Sequence, residues 1–451
     1  MRRILAASLL ATSLACTPRG EGVIVVPDPP PREGTHASGD ETPPLPPPVG
    51  RRPSDDETRA LHALTRAAER IRGLRFAREV PVRIQSSEEI TAFVESRIDE
   101  RELEHARVFY VAVGLLPEGL DVRAMLLGVM GEQIVGFYDP DSGTLVIRDD
   151  VMRELRAMES AGRQVTEAAS AIVIVHELVH ALQDQRLALG EHFHFAPGHR
   201  ERSGDEANAF ASLVEGDATL AMIGWLAARG GGHLSDLTES PERLRGLVEG
   251  SDMSSGGPAL AGAPPIVRAP LLSRYFDGML FCAALHARGG FPIVDAAHRD
   301  PPTTSEQVLH PAAYFAHDAG ETITIPALPG LEALGYAAHD EDTLGELELS
   351  VWLALGSAHD RDATAGAGWD GDRLRVYRRE DGATAAVWWT LWDDEAEARE
   401  AEVAAQRAAA AASATVRRAG RALAIQLGVP DPARPELEAA FDAFAAALPA
   451  P

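Results

Sequence analysis

The sequence predicts an α+β fold with a larger helical domain that contains a strand hairpin, followed by a smaller C-terminal α+β part. Apolar residues recur at helical spacing in three long segments: 58–74, 166–190 and 205–228. Residues 133–138 and 144–147 flank an Asp-Pro-Asp-Ser-Gly turn, which is typical of a β-hairpin. Near the C-terminus, three strand-like segments precede two alanine-rich helices: 347–355, 373–377 and 385–391, then 395–414 and 435–448.

The composition narrows the range of functions. An apolar content of 45% and a charged content of 24% are typical of a soluble globular protein. The net charge of −26 argues against binding nucleic acid or an anionic membrane through a basic face. The sequence contains no lysine, which excludes Schiff-base chemistry and every other lysine-dependent mechanism.

The N-terminus predicts export. Two arginines at positions 2 and 3 precede an apolar run over 4–14, which has the length of a signal-peptide core and is too short to span a bilayer. The run ends in Ser-Leu-Ala-Cys16, which resembles the lipobox of bacterial lipoproteins, although Ser13 stands where that motif prefers leucine. The resemblance implies lipidation of Cys16 and membrane contact only through this anchor. The alternative is an ordinary secretory signal cleaved nearby.

The chain then divides into three further segments. Residues 17–56 are rich in proline and lack apolar periodicity, which predicts an extended linker. Residues 57–335 form the predicted main domain, with a strand at 80–84, a helix from Ser86 or Ser87 to about 103 and a short helix at 124–130. Residues 336–451 form the predicted C-terminal α+β part, either packed on the main domain or forming a subdomain of it.

A His-Glu-x-x-His motif lies inside the apolar segment 166–190. On a helix, His176 and His180 project within about 40° of each other, and Glu177 lies beside them. Two imidazoles from one turn with a neighbouring carboxylate are typical of a zinc site with a general base. The helix is apolar all round, and a buried helix seldom carries such polar groups unless something satisfies them. The alternative is a core helix whose histidines bond to carbonyl groups.

A catalytic zinc site needs a third protein ligand, and Glu215 is the best candidate. Small residues share its helical face, so the two helices can approach closely, and Gly216 suggests a close contact. Glu206 lies on the opposite face, so the two glutamates cannot both reach one ion. Three histidines in the following loop are rival ligands, although their spacing is typical of ordinary loop residues: His192, His194 and His199.

These motifs resemble an exported bacterial family of gluzincin-type zinc metallopeptidases. The resemblance covers most of residues 70–400 and rests on residues 176–185, 214–218, 136–139, 306–311 with Tyr314, and 368–373. It implies a zincin-like helical core with an edge strand, a bound Zn²⁺, and a peptide or protein substrate. The motif at 368–373 carries no chemistry that we can name.

The resulting hypothesis is a zinc-dependent peptidase at the cell envelope. Zinc held by His176, His180 and Glu215 would activate a water molecule, and Glu177 would act as its general base. Asp184 could bond a ligand histidine or cap the helix surface, and Tyr314 and His310 are candidate oxyanion donors. The alternative is a non-catalytic envelope lipoprotein with a structural zinc, in which a fourth ligand comes from one of four residues: His192, His194, Asp205 or Glu206.

Overall fold

The computed structural model describes residues 48–168, 170–187, 189, 202–249 and 257–448, and these form the predicted α+β fold. Several predictions lie outside the described residues: the signal segment 1–16 with Cys16, residues 17–47 of the linker, the helix end at Gly190, and the histidines 192, 194 and 199.

The first half is mainly helical. Its helices are α1 (Asp55–Arg72), α2 (Ser87–Ser96), α3 (Glu100–Ala112), α4 (Val122–Gln133), α5 (Asp149–Ser160), α6 (Ala171–Leu187) and α7 (Gly204–Arg229). Its strands are β1 (Val82–Gln85), β2 (Gly136–Asp139) and β3 (Thr144–Arg148). Ser86 caps α2 with a capping box, as the sequence predicts, but Asp99 starts a new helix, so the segment expected to form one helix to about residue 103 is divided.

Strands β2 and β3 form the predicted hairpin. The sheet order is β1-β3-β2, with β1 parallel and β2 antiparallel to β3, so β3 is central and β2 lies at one edge of this sheet. All four residues of β2 are nevertheless buried, because α6 packs against it. The edge strand therefore lies beside the helix that carries the His-Glu-x-x-His motif.

The second half contains twelve α-helices of very different lengths and a five-stranded sheet in its described residues. Its helices are α8 (Leu234–Thr238), α9 (Pro241–Glu249), α10 (Gly257–Ala261), α11 (Pro265–His286), α12 (Phe291–Arg299), α13 (Ser305–Leu309), α14 (Pro311–Ala316), α15 (Pro329–Ala333), α16 (Gly345–Leu353), α17 (Ala363–Gly366), α18 (Glu395–Ala412) and α19 (Arg434–Ala447). Its strands are β4 (Ala337–Asp342), β5 (Trp369–Arg378), β6 (Thr384–Trp392), β7 (Ala414–Ala419) and β8 (Ala422–Leu427), in the antiparallel order β4-β5-β6-β8-β7.

The C-terminal predictions are confirmed for β5, β6, α18 and α19 and wrong for residues 347–355. That segment is mostly helix α16, and every residue of α16 is buried. A helix surrounded by protein has no polar face, so its apolar pattern cannot be distinguished from that of a buried strand. The Asp372 carboxylate favours the helix, because it accepts hydrogen bonds from the amides of Leu344 and Gly345 at the helix start.

The two predicted parts share one apolar core. A single cluster joins Phe109 and Ile266 of the first part to Trp352, Trp388 and Leu423 of the second. A second cluster surrounds α6 and contains residues of α1, α5 and α7. The C-terminal sheet therefore packs directly on the helical part.

Helix α7 is long and apolar enough to cross a membrane by length and composition alone. However, 89% of its most apolar window is buried inside the protein. A core helix of a globular protein has the same properties, so this helix is no evidence of a membrane span.

Candidate metal centre

Helix α6 places the motif in the interior. It begins at Ala171, whereas Thr166, the first residue of the predicted helical segment, lies in a preceding 3₁₀ turn (Val165–Glu167). The helix packs against α1, α7 and β2, which explains why it is apolar on every side. His176 and Glu177 are each only 1% exposed. The polar groups of the motif are thus buried, and burial makes unsatisfied polar atoms costly.

Helix α7 brings the predicted third ligand to the histidines. Oε2 of Glu215 lies 3.1 Å from Nε2 of His176 and 3.4 Å from Nε2 of His180, and the two Nε2 atoms are 3.0 Å apart. Gly216 makes a close contact with a different helix, because a Cβ atom there would lie 2.1 Å from the backbone carbon of Gly278 on α11. The close contact expected at Gly216 is confirmed.

The residue set fits a metal ion. The candidate ligand atoms of the three side chains all lie within 4.8 Å of one another. Oε1 of Glu215, Oε1 of Glu177 and Nδ1 of His176 are buried without a hydrogen-bond partner. Two imidazole nitrogens and a carboxylate oxygen are ligands that suit zinc, and three protein ligands are typical of catalytic sites.

The charges of the cluster are coupled. Burial alone would raise the pKa of Glu215, but the histidines outweigh it and lower this pKa to about 2. Burial alone would lower the pKa of His180, but Glu215 raises it to about 9, whereas burial lowers the pKa of His176. Without metal the cluster therefore favours a proton on His180. Metal binding would displace that proton.

Glu177 faces the edge strand. Its Oε2 accepts a hydrogen bond of 2.9 Å from the backbone N–H of Tyr138 in β2. The amide of Arg148 bonds to the carbonyl of Val135, so the alternation along β2 directs the Tyr138 amide away from β3. Burial raises the pKa of Glu177 to about 8. A raised pKa makes the carboxylate a stronger proton acceptor than an exposed glutamate, which suits a general base.

Of the two roles predicted for Asp184, the bond to a ligand histidine is not observed among the described residues, because Gln183 lies opposite Nδ1 of His180 and Nδ1 of His176 has no hydrogen-bond partner. Asp184 accepts a hydrogen bond of 2.6 Å from the Tyr138 hydroxyl and lies 3.5 Å from Arg78, on the side of α6 that faces β2. Gln183 occupies the predicted place instead, with its Oε1 2.8 Å from Nδ1 of His180. Both residues lie about one turn beyond His180, so the packing of α6 between its neighbours decides between them.

The two predicted oxyanion donors have other partners. The Tyr314 hydroxyl donates to the carbonyl of Asp300, and the His310 ring lies 3.0 Å from Glu346. In the described part of the chain, neither side chain contacts the His176, His180 and Glu215 cluster.

Sequence reasoning missed Tyr275 on α11. Its buried ring lies 6.1 Å from the ring of His176, centroid to centroid. Burial, and then the charges of Glu215 and Glu177, hold the pKa of Tyr275 well above its usual range. Its hydroxyl therefore stays protonated and available as a donor beside both glutamates. The only nearby feature of the sequence that indicates close packing of this helix is Gly278. Its contact with Gly216 cannot be predicted from the sequence.

Two candidates for a fourth ligand lie within the described residues, and both have other partners. Asp205 accepts a hydrogen bond of 2.8 Å from the amide of Ser305. Glu206 forms an ion pair of 3.5 Å with Arg202, four residues before it. Glu206 lies on the opposite side of α7 from Glu215. Within the described ranges, the group that could hold a metal ion consists of three residues: His176, His180 and Glu215.

Comparison with known proteins gives one match. Residues 332–436 match a family described as a domain of unknown function, DUF8575. No curated protein and no solved structure matches the chain. The matched range begins close to the predicted boundary at 335 and does not include the metal centre.

Proposed function

We propose that the chain is a zinc-dependent metallopeptidase of the gluzincin type, which hydrolyses peptide bonds in a peptide or protein substrate. The observation that carries the proposal is the buried set of His176, His180 and Glu215 with Glu177 beside it. A general base next to a three-ligand site has a clear use in hydrolysis and none in a purely structural site.

The reaction divides among the residues of the site. Zinc bound there would polarise the scissile carbonyl and lower the pKa of a water molecule towards about 7. Glu177 would take the proton of the attacking water and return it to the leaving amine. Tyr275 would donate its hydroxyl hydrogen to the oxygen on which negative charge develops.

The edge strand suggests how a substrate binds. An extended peptide could add to the outer edge of β2 through main-chain hydrogen bonds. The Tyr138 amide on that edge donates to Glu177 in this structure. Substrate would compete for this amide, and its binding would release Glu177 for proton transfer.

The proposal includes the location inferred from the N-terminus. The signal-like segment and Cys16 support export and lipid anchoring at the cell envelope, with the linker as a tether. The net charge of −26 supports a site that acts on neither nucleic acid nor an anionic lipid surface.

A structural zinc site in a non-catalytic lipoprotein is the second candidate. The observation that favours it is the near-complete burial of the cluster, since His176 and Glu215 are each only 1% exposed. Such a site requires a fourth protein ligand, whereas the described residues supply three.

Two substitutions test the proposal on purified protein. Glu177→Gln keeps the shape and the ligands, so zinc should stay near one per chain while turnover of a mixed peptide library falls about 10²- to 10⁴-fold. Glu215→Ala removes a ligand and should lose most of the zinc. Glu206→Gln, on the opposite side of α7 from Glu215, is the control and should keep both zinc and turnover.

The outcomes separate the two candidates. A structural site predicts no turnover in the wild type and unfolding of Glu215→Ala. Full activity of Glu177→Gln would refute the assignment of the general base. Full zinc occupancy in Glu215→Ala would show that a residue other than Glu215 is the third ligand.

A further inference from the structure

A fully buried glutamine connects the metal centre to a second buried cluster. Gln183 on α6 has its Oε1 2.8 Å from Nδ1 of His180. Its Nε2 donates to the carbonyl of Val214 at 3.0 Å and to Oδ2 of Asp217 at 2.9 Å. The Gln183 side chain thus spans the space between a candidate ligand and the residue two positions beyond Glu215.

The chemistry of these partners fixes the orientation of the amide. A backbone carbonyl and a carboxylate only accept hydrogen bonds, so the NH₂ group of Gln183 must face Val214 and Asp217. Its carbonyl oxygen must then face His180. Because that oxygen is also only an acceptor, Nδ1 of His180 must carry a hydrogen.

The hydrogen on Nδ1 determines what the other ring nitrogen can do. A neutral imidazole carries one hydrogen, so Nε2 of His180 keeps a lone pair. That atom faces Nε2 of His176 and Oε2 of Glu215, which is where a metal ion would lie. His176 has no such constraint, because its Nδ1 is buried without a hydrogen-bond partner.

Asp217 is held in place from two other helices. Its Oδ2 lies 3.0 Å from Nε2 of His298 on α12, and its Oδ1 lies 2.8 Å from Nε of Arg72 on α1. An arginine guanidinium has only donor atoms, so the Asp217 carboxylate faces Arg72 as an acceptor. Asp217 therefore remains an acceptor, and the amide of Gln183 cannot turn over without facing a carboxylate with its own oxygen.

We propose that Gln183, anchored by Asp217, is a positioning residue that fixes the Nδ1–H form of His180 and aims its Nε2 at the metal. This inference rests on the metal site proposed above. Three consecutive residues of α7 then have different roles. Glu215 faces the metal, Gly216 permits close contact with α11, and Asp217 accepts a hydrogen bond from Gln183.

The test compares two buried glutamines in the metal-stripped full chain. Gln183→Met removes the acceptor opposite His180 but keeps the length of the side chain. Gln85→Met is the matched control, because Gln85 is equally buried and its amide donates to the carbonyl of Val49, in a bond that does not involve the metal centre. Zinc affinity is measured by competition with a chromophoric chelator, and the fold of each metal-free variant by circular dichroism.

Loss of an outer partner of a ligand histidine typically weakens metal binding about 10- to 100-fold. We expect this loss in Gln183→Met, and a change of less than about threefold in Gln85→Met. Gln183→Glu alone keeps an oxygen opposite His180 but would turn its second oxygen towards the Asp217 carboxylate. The rescue variant is therefore the double substitution Gln183→Glu/Asp217→Asn, which restores a donor at position 217 and should bind zinc at least about tenfold more tightly than Gln183→Met. This third variant tests the proposal even if Gln183→Met does not fold.

Two results would overturn the proposal: zinc binding by Gln183→Met within about threefold of the wild type, or an equal loss in Gln85→Met. If Gln183→Met is unfolded, weak zinc binding by the folded double variant Gln183→Glu/Asp217→Asn would overturn it as well. A wild-type chain that binds no zinc would overturn both this inference and the metal site. A wild type that binds zinc but cleaves no peptide would refute only the catalytic function.

Discussion

Substitution of Gly216 by alanine should destabilise the fold at the point where α7 crosses α11. A Cβ atom there would lie 2.1 Å from the carbon and 2.2 Å from the oxygen of Gly278. Ordinary van der Waals contact begins near 3.4 Å, so the two helices would have to separate by more than an ångström. The obstacle is backbone, which cannot rotate away as a side chain can.

Two opposing effects set the size of the change. Alanine favours a helix over glycine by about 1 kcal/mol, and overpacking of a tight interior costs about 1–3 kcal/mol. Because the clash involves backbone on both helices, we expect the upper end of that cost. The net loss in the free energy of unfolding should be about 2 kcal/mol. Zinc affinity should fall too, because Glu215 and Tyr275 lie beside the two glycines.

Denaturant unfolding of the metal-free protein, followed by circular dichroism, measures the loss. Gly224→Ala on the same helix is the control. Its new Cβ atom would meet side-chain atoms and no backbone: Cδ2 of Leu234 at 3.1 Å, and Cδ1 of Ile71 and Cβ of Leu234 at 3.3 Å. The two terminal methyl groups can rotate away, and the Leu234 Cβ needs to shift by only about 0.1 Å to reach the ordinary contact distance of 3.4 Å. The control should range from neutral to about 1 kcal/mol more stable. Equal stability of the two variants would refute the close-contact argument.

Three further predictions concern other parts of the chain. Tyr275→Phe should lower kcat about 10²-fold with unchanged zinc content, as judged by peptide cleavage and metal analysis, if its hydroxyl stabilises the transition state. Burial raises the pKa of Glu348 to about 7 from about 4.5, so its stabilising effect is present below pH 4.5 and is lost as pH rises to about 7. In Glu348→Gln the free energy of unfolding should therefore depend less on pH between about 4.5 and about 7 than in the wild type. Denaturant midpoints measured across this pH range test the prediction. Labelled fatty acid should enter the wild type but not Cys16→Ser, and equal labelling would exclude a lipid anchor at that residue.

Helical geometry was sufficient to predict the centre of the site. The spacing of His176 and His180 depends only on the pitch of one helix, which scarcely varies. Glu215 could be predicted because its helical face is small and apolar and because an adjacent glycine implies close packing. These are properties of single helices, and they survive folding unchanged.

The surroundings of the site could not be predicted in the same way. Gln183 and Asp184 are neighbours one turn beyond His180, and either can reach a ring nitrogen by spacing alone. The choice depends on what lies beside each residue. Asp217 and Val214 of α7 bond to Gln183, whereas Tyr138 of β2 bonds to Asp184. Both sets of partners are distant in sequence, so no local pattern contains the answer.

The C-terminal part contributes directly to this support. Glu348, inside the range that matches a domain of unknown function, accepts hydrogen bonds from Tyr110 of α3 and from Asn208 of α7. Asn208 lies two turns before Glu215 on the same helix. Its side-chain oxygen Oδ1 accepts a hydrogen bond from the guanidinium of Arg274, the neighbour of Tyr275. The buried Glu348 carboxyl group thus links the C-terminal part to α7 directly and to α11 through Asn208. The matched region therefore contributes hydrogen bonds that hold α7 and α11 in their relative positions. Without Glu348, the residues of the site on these two helices would lose one of these buried contacts.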